Sequence, residues 1–465
     1  MSSPLILTFD VSKGYGDFIL MDVHKRVLED RFRLDDNAQG HRLLKEQILA
    51  WKKQYRFSRL IYVAESSGGY EDNWLRIGED KTLKGFVDAF RLNAKIIYHE
   101  YEAQRRKSID DGVSALTIAE HVAKNLDKFE PQVFKEDATY KAARSLVRHL
   151  VGLEKDCTGH QNALLKLLYQ YLPSLEACKS EGWANYFLEM LIFYGSYQSI
   201  KRAANQGFKR LKRVPKGKAE QIAEALENGI DVKETPAFIV AAIKSKARHV
   251  KELKAEIKEL EQLLCSSAPV NDHQVELLCS IKGMGRVTAT TLLLFIEDFN
   301  RFEDEAHLAS FFGVQPRIKQ SGDGAYRPKM SKQGNGLVRR ELYLLAFRCL
   351  DNDAYLRSIY AKHRHKGMHH DSALGVLMHK LARIIFGMLK TDTFYDPGID
   401  QLNQQTTRKA QPASSQNKQD AARRFQPESL DAPLSKRQKK KRQKAELEKD
   451  YELQATAEDA RSESS

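Results

Sequence analysis

Three strand-like runs at the start of the chain, the first closed by an acid, limit the folds open to its N-terminal third. Leu5-Ile-Leu-Thr-Phe-Asp10 reads as a buried strand ending in aspartate. Gly16-Asp-Phe-Ile-Leu-Met-Asp22 and Arg26-Val-Leu-Glu-Asp-Arg-Phe-Arg-Leu34 follow with the alternation and turn spacing of an antiparallel meander. Helical periodicity from Arg42 to Tyr55 then leads into Arg59-Leu-Ile-Tyr-Val-Ala-Glu65, a further strand that also ends in an acid, ahead of Ser66-Ser-Gly-Gly-Tyr70.

A meander, a helix and a second acid-tipped strand match a ribonuclease-H-like fold. In that fold Asp10 and Glu65 lie at adjacent strand ends, close enough to hold hard divalent cations through oxygen ligands.

A different device occupies the C-terminal part. Val275–Ile281 and Val287–Ile296 read as two helices around Lys282-Gly283-Met284-Gly285, where the glycines permit positive φ and close approach. This is a helix-hairpin-helix pattern. Amides at the start of the second helix meet a phosphate, with Lys282 and Arg286 as countercharge, so the contact is to nucleic-acid backbone and not to bases. A tight turn between two core helices accounts for the same glycines. Downstream, the apolar face of Phe302, Leu308, Phe311 and Phe312 is broken by Gly313-Val-Gln-Pro316. Then comes Arg317-Ile-Lys-Gln-Ser321-Gly-Asp-Gly-Ala-Tyr-Arg327-Pro-Lys329. A serine set among glycine turns and cations is placed to attack a held phosphate, once a base, a metal or a neighbouring cation activates it. Ser-Gly is also a common loop dipeptide.

Four motifs in order, Ile281-Lys-Gly-Met-Gly285, Ala306-His-Leu-Ala-Ser-Phe-Phe-Gly-Val-Gln-Pro316, Gln320-Ser-Gly322 and Ser331-Lys-Gln-Gly-Asn-Gly-Leu-Val-Arg-Arg340, resemble the C-terminal transposase domain of the IS110/IS1111 insertion-sequence family. The resemblance implies that Ser321 is the recombinase serine. Ser331 is the rival, and it reads equally as a helix N-cap or a backbone contact. It also implies a RuvC-like domain of DEDD type at the N-terminus, with Asp10 and Glu65 in the first two acidic places and Ser67 replacing the usual threonine. For the later pair, Arg106-Lys-Ser-Ile-Asp110-Asp111-Gly-Val-Ser114-Ala115 resembles the family's Lys-Thr-Asp-X-X-Asp-Ala run. Aligning Ala115 with the family alanine puts Asp111 on the first aspartate and Ser114 on the second, so one carboxylate is absent. The implied magnesium set is therefore Asp10, Glu65 and Asp111, with Asp110 as a substitute and a hydroxyl or water in the remaining position. A further implication is a structured noncoding RNA that pairs with donor and target DNA. Because one site cuts one strand, full exchange implies a homo-oligomer, dimer or tetramer.

Between these regions lie long helices, from Tyr140 to Lys155 and on through Asn162–Leu172, and again from Pro236 to Leu264. Leu146, Leu150, Leu153, Leu164, Leu168 and Leu172 form one stripe, and Ile239, Ile243, Val250, Leu253, Ile257, Leu260 and Leu264 another, as coiled-coil pairing within or between chains or a helical bundle requires. Separating them, Asn205-Gln-Gly-Phe-Lys-Arg-Leu-Lys-Arg-Val-Pro-Lys-Gly-Lys218 concentrates cations, among them Lys209, Arg210, Lys212 and Arg213. Such a loop suits a phosphate backbone, as do Arg317, Arg327, Lys329 and Lys332.

The expected fold class is α/β plus all-α. Residues 1–137 form the RuvC-like domain, 138–268 the helical coiled-coil region and 269–395 the transposase domain, while 396–465 form a disordered basic tail. That tail is poor in large apolar residues and contains Ser435-Lys-Arg-Gln-Lys-Lys-Lys-Arg-Gln-Lys444. Seventy-five Lys and Arg against 62 Asp and Glu leave +13, which favours a polyanionic partner. Cys157, Cys178, Cys265, Cys279 and Cys349 have neither CxxC nor histidine-cluster spacing, which argues against a zinc site and suits a reducing cytoplasm. No run reads as a membrane span or signal sequence, so a bacterial, cytoplasmic, nucleoid-associated protein is expected. Two other readings stand beside a transposase: a metal-only RuvC-like endonuclease on branched DNA, and a cleavage-deficient nucleic-acid-binding derivative.

Overall fold

Alternation in β1 (Leu5–Ser12) serves two cores at once. It pairs antiparallel with β2 (Tyr15–Asp22), which pairs antiparallel with β3 (Val27–Asp35). After α1 (Ala38–Tyr55) the chain returns as β4 (Leu60–Glu65), parallel to β1. Then α2 (Glu71–Leu75) and a short 3-10 turn lead to β5 (Val87–Leu92), parallel to β4, giving the strand order β3-β2-β1-β4-β5. Two helices complete this part, α3 (Ala94–Gln104) and α4 (Asp111–Lys124). Leu5, Leu7, Phe9, Leu60 and Tyr62 face Leu44, Ile48 and Trp51 of α1. Ile6, Ile61 and Val63 face Ile118, Ala119 and Val122 of α4. Coverage on both faces explains why β1 and β4 read as continuous apolar runs. The polar interruption in β1, Thr8, is fully buried, and its hydroxyl donates to Ala115 O of α4 at 2.7 Å.

The computed structural model describes residues 3–104, 111–129, 138–179, 183–317 and 329–402, together with positions 439 and 443. These divide into two compact units, Met1–Lys135 and Glu136–Ser465. The expected basic tail lies almost wholly outside the described residues.

In the second unit the periodicity of α5 (Ala138–Tyr171) persists for 34 residues, through Gly152 and Gly159. Four helices follow, α6 (Pro173–Cys178), α7 (Asn185–Phe193), α8 (Tyr197–Asn205) and α9 (Lys218–Asn228). The 31-residue α10 (Ala237–Ser267) then packs along α5, so the two long helices pair within one chain. Leu164 and Leu168 of α5 meet Phe187, Ile200, Phe208, Ile222, Ile243 and Val250 in one core.

Val147, Leu150 and Leu264 belong to the other core, with the C-terminal helices. These are α11 (Asp272–Cys279), α12 (Arg286–Ile296) and α13 (Glu305–Phe312), then the two-residue strands β6 (Pro316–Arg317) and β7 (Lys329–Met330). The unit closes with α14 (Gly336–Asn352), α15 (Ala354–His365) and α16 (His370–Thr391). Buried Arg144 of α5 donates to Leu294 O at 2.8 Å and pairs with Glu297, stapling α5 to the end of α12.

By length and composition alone α16 is apolar enough to cross a membrane, contrary to the sequence expectation that no run is. Its Leu374, Leu377, Leu381, Ile385 and Phe386 instead pack into the C-terminal core.

Candidate active site

Pairing of Thr8 with Val63 and of Phe9 with Ala64 carries the parallel register to the strand ends, where Asp10 neighbours Glu65. Both acids share the sheet face of Ile6, Thr8, Ile61 and Val63, the one beneath α4. Asp10 Oδ1 accepts from Val11 N at 2.8 Å. Burial, and then the charge of Asp10, push Glu65 from 4.5 up to about 7.

The turn after Glu65 is shaped by a residue the sequence reading missed. Glu71 is 1% exposed and accepts from Ser67 N at 3.1 Å and Gly69 N at 2.9 Å, while Arg91 Nε lies 3.0 Å from its other oxygen. Gly68 and Gly69, at φ +77° and +109°, let the chain wrap that carboxylate. A double glycine just ahead of a glutamate in the first turn of a helix was the available signal. Ser67 donates through Oγ to Glu65 O at 3.2 Å.

Above the acids, Ser114 of α4 is 5% exposed, and Tyr101 of α3 is buried beside it. The phenol of Tyr101 is pushed up by burial and by Glu65 and Asp10, against hydrogen bonding to Ser114 and Thr117 that lowers it. Asp111 is the first residue of α4, one turn before Ser114. Asp110 lies outside the described residues. Among the described residues no group of three histidine, cysteine or acidic side chains forms a metal site. The donors in place are two neighbouring carboxylates, the charge of Asp10 adding to the burial that raises Glu65. A hard divalent cation with its water shell fits that set.

Because folding raises the pKa of Glu65, the folded chain holds a proton that the unfolded chain releases. Stability in metal-free buffer therefore falls as pH climbs from 4.5 through about 7. Glu65→Gln is expected to be more stable than wild type at pH 8, by on the order of 2 kcal/mol after allowing for solvent screening, and equal to it at the acid end. Urea unfolding at pH 5 and pH 8 measures this. An equal difference at both pH values contradicts it.

In the second unit, Ile281 and Met284 are buried and anchor the turn between α11 and α12. Gly283 has φ +101°, and a Cβ there would meet the carbonyl carbon of Arg348 at 3.2 Å. Lys282 and Gly285 are exposed, and Gly285 caps α12 with no side-chain hydrogen bond. Arg286 is exposed and ion-paired with Asp272. The free amides of α12 and two cations thus meet at one exposed corner, the geometry of a backbone-phosphate contact.

The neck of the serine segment is held by main chain. Asn335 N donates to Phe311 O at 3.2 Å, Lys332 N to Gly313 O at 3.1 Å and Ser331 N to Gln315 O at 2.8 Å. Pro316 then pairs with Met330, and Arg317 with Lys329. Gly313 has φ +71°, and a Cβ on Gly334 would lie 2.2 Å from Gly313 N, so the two strands of the neck touch at glycines. Ser321 and Arg327 lie outside the described residues. Arg317, Lys329 and Lys332 are exposed around the neck. Ser331 is not the cap of the following helix: Asn335 is, accepting from Leu337 N at 2.9 Å. Lys209, Arg210, Lys212 and Arg213 are exposed between α8 and α9.

Residues 275–361 match the Transposase IS116/IS110/IS902 family. The chain is 29% identical over 263 residues, 53% of its length and 63% of the relative's, to the "Insertion element IS110 uncharacterized 43.6 kDa protein" of Streptomyces coelicolor. It is 23% identical over 261 residues, 55% of its length and 65% of the relative's, to the "Insertion element IS116 uncharacterized 44.8 kDa protein" of Streptomyces clavuligerus. Similarity also reaches the "Pilin gene-inverting protein" of Moraxella bovis, 27% over 139 residues, 29% of this chain and 43% of that one. The matched stretches span less than two thirds of these relatives.

Proposed function

We infer, from a chain that belongs through residues 275–361 to the IS116/IS110/IS902 transposase family, that it cuts and rejoins DNA at the ends of an insertion element. The observation supporting it most is the placement of Asp10 and Glu65 at neighbouring strand ends under α4, with Glu65 held near 7 by burial and by Asp10. The strand order β3-β2-β1-β4-β5, with only β2 antiparallel to its neighbours, supports a RuvC-like, ribonuclease-H-like reading of the first unit. The exposed corner at Lys282, Gly283, Gly285 and Arg286 supports a helix-hairpin-helix contact to DNA backbone.

In this reading Asp10, Glu65 and Asp111 hold magnesium, with Asp110 as the substitute and Ser114 standing where a fourth carboxylate is absent. Held by these carboxylates, magnesium would supply positive charge to a phosphate undergoing transfer. Ser321 Oγ bonds to phosphorus as the bond to a DNA ribose oxygen breaks; the serine loses its proton and the departing oxygen gains one. Attack by the ribose hydroxyl of a partner strand then reverses the step, joins the DNA and frees the serine. Arg317, Lys329 and Lys332, exposed at the neck, and Arg327 in the sequence between them add positive charge. A structured noncoding RNA selects donor and target, a dimer or tetramer supplies the several sites that exchange needs, and the work takes place on nucleoid DNA in a bacterial cytoplasm.

The test is capture of a denaturation-stable protein–DNA adduct on a labelled insertion-element end with magnesium present, mapped by mass spectrometry. The expected adduct sits on Ser321, and Asp10→Asn is expected to lower its yield at least about tenfold. Cleavage without an adduct means a metal-only nuclease, an adduct on Ser331 transfers the nucleophile there, and binding without cleavage means a derivative that no longer cuts.

A further inference from the structure

The segment between α8 and α9 carries five exposed cations, Lys209, Arg210, Lys212, Arg213 and Lys216, and no acid from Gln206 to Ala219. Elsewhere in the same core, surface lysines are neutralised: Lys201 pairs with Glu227 and Lys251 with Glu189. None of these five has an ion pair among the described residues. Like charges packed this closely repel one another, so a chain that gained nothing from the cluster would spread it.

The loop's shape is fixed by its own packing. Phe208 is 1% exposed, packed near Tyr194, although its φ is +50°. Arg213 is also left-handed at φ +57°, and Gly207 and Gly217 flank the segment at +68° and +80°. Main-chain bonds from Phe208 N to Ala203 O and from Leu211 N to Phe208 O, 2.9 and 2.8 Å, hold the turn. Two bulky residues kept in a region that disfavours them mark a backbone over-determined by its surroundings. The segment ends at the start of α9, whose cap, Gly217, offers no side-chain hydrogen bond. A row of cations on a fixed backbone matches a run of phosphates better than it matches an acidic protein surface.

The geometry points to the loop of residues 207–218 as a second nucleic-acid site, binding the phosphodiester backbone of a double helix without reading its sequence. This rests on the reading that the chain acts on nucleic acid. Leu150 lies in the core of the α11–α12 turn and Leu168 in the core of the loop, and the helix joining them advances about 27 Å.

The experiment uses the full-length quadruple variant Lys209→Ala/Arg210→Ala/Lys212→Ala/Arg213→Ala. Fluorescence anisotropy follows its binding to a 30-base-pair DNA duplex and, separately, to an RNA duplex of equal length, between 50 and 200 mM salt. The slope of log affinity against log salt is expected to become shallower by about 2 to 4, with at least tenfold weaker binding at the lowest salt. Arg210→Glu, a single change at an exposed position, is expected to give a smaller shift of the same sign. Whichever duplex shows the change is the site's ligand. Unchanged slope and affinity for both duplexes overturn the assignment, and if Lys282→Ala/Arg286→Ala still weakens binding, the transposase reading survives that result. Wild type that binds neither duplex overturns both.

Discussion

Ser321→Ala is expected to abolish strand transfer, by a factor of at least about 10³, while leaving DNA affinity within about twofold. Removing one hydroxyl takes away the atom that forms the covalent link and changes no charge, so cleavage and binding separate. The measurement is the rate of joined product from a labelled insertion-element end, with the dissociation constant determined in parallel. Equal rates for wild type and variant refute Ser321 as the nucleophile. Ser331→Ala is the matched comparison. The amide of Ser331 is engaged in the neck, bonded to Gln315 O, and an alanine keeps that amide, so the reading expects transfer within a few-fold of wild type.

The second large effect is structural and falls on Gly334. An added Cβ there would stand 2.2 Å from both Gly313 N and Phe311 O and 2.5 Å from Phe312 C, all backbone atoms that cannot swing aside. Gly313 faces the reciprocal clash, 2.5 Å from Gly334 N, so neither strand of the neck can yield to the other. Gly334→Ala is expected to cost about 3 kcal/mol or more, the upper range for overpacking a tight site. It should also part the neck from which residues 318–328 leave, losing activity beyond what stability alone explains. Gly336→Ala is the control: only Arg339 Nη2, at 3.7 Å, comes near, and the site is the exposed first residue of α14, so the change is expected to be neutral or slightly stabilising. Urea denaturation of both variants decides it, and equal stability contradicts the close-contact argument.

What the sequence disclosed followed from strong periodicity. β1, β2 and β4 appear where apolar runs placed them because both of their faces are covered, and β3 appears where alternation placed it because only Leu28, Phe32 and Leu34 face the core. Asp10 and Glu65 could be found because an acid that ends an apolar strand breaks the pattern. The start of α1 was misplaced by four residues, since its cap is Asn37, accepting from Gly40 N, and the first turn carries little apolar signal. The edge strand β5 escaped notice because Val-Asp-Ala-Phe-Arg-Leu is half-exposed and carries charges. The four helices α6 to α9 were not foreseen either: the longest of them has 11 residues, too few for a period to stand out, and they owe their existence to the core they complete with α5 and α10. Glu71 was missed for another reason, although the double glycine ahead of it signals a turn. Its role depends on a turn of backbone amides that only folding brings around it.

Neither core of the second unit owns its framework. Leu150 and Leu168 sit on one continuous helix, Val250 and Leu264 on another, and Ile257 packs against both apolar clusters. Melting either end frays a rod on which the other end depends, so heat should meet a single cooperative transition there instead of two independent ones. Damage is shared in the same way: a cavity opened near Phe187 lowers the resistance of the distant α11–α12 turn to unfolding, although the two have no atom in common.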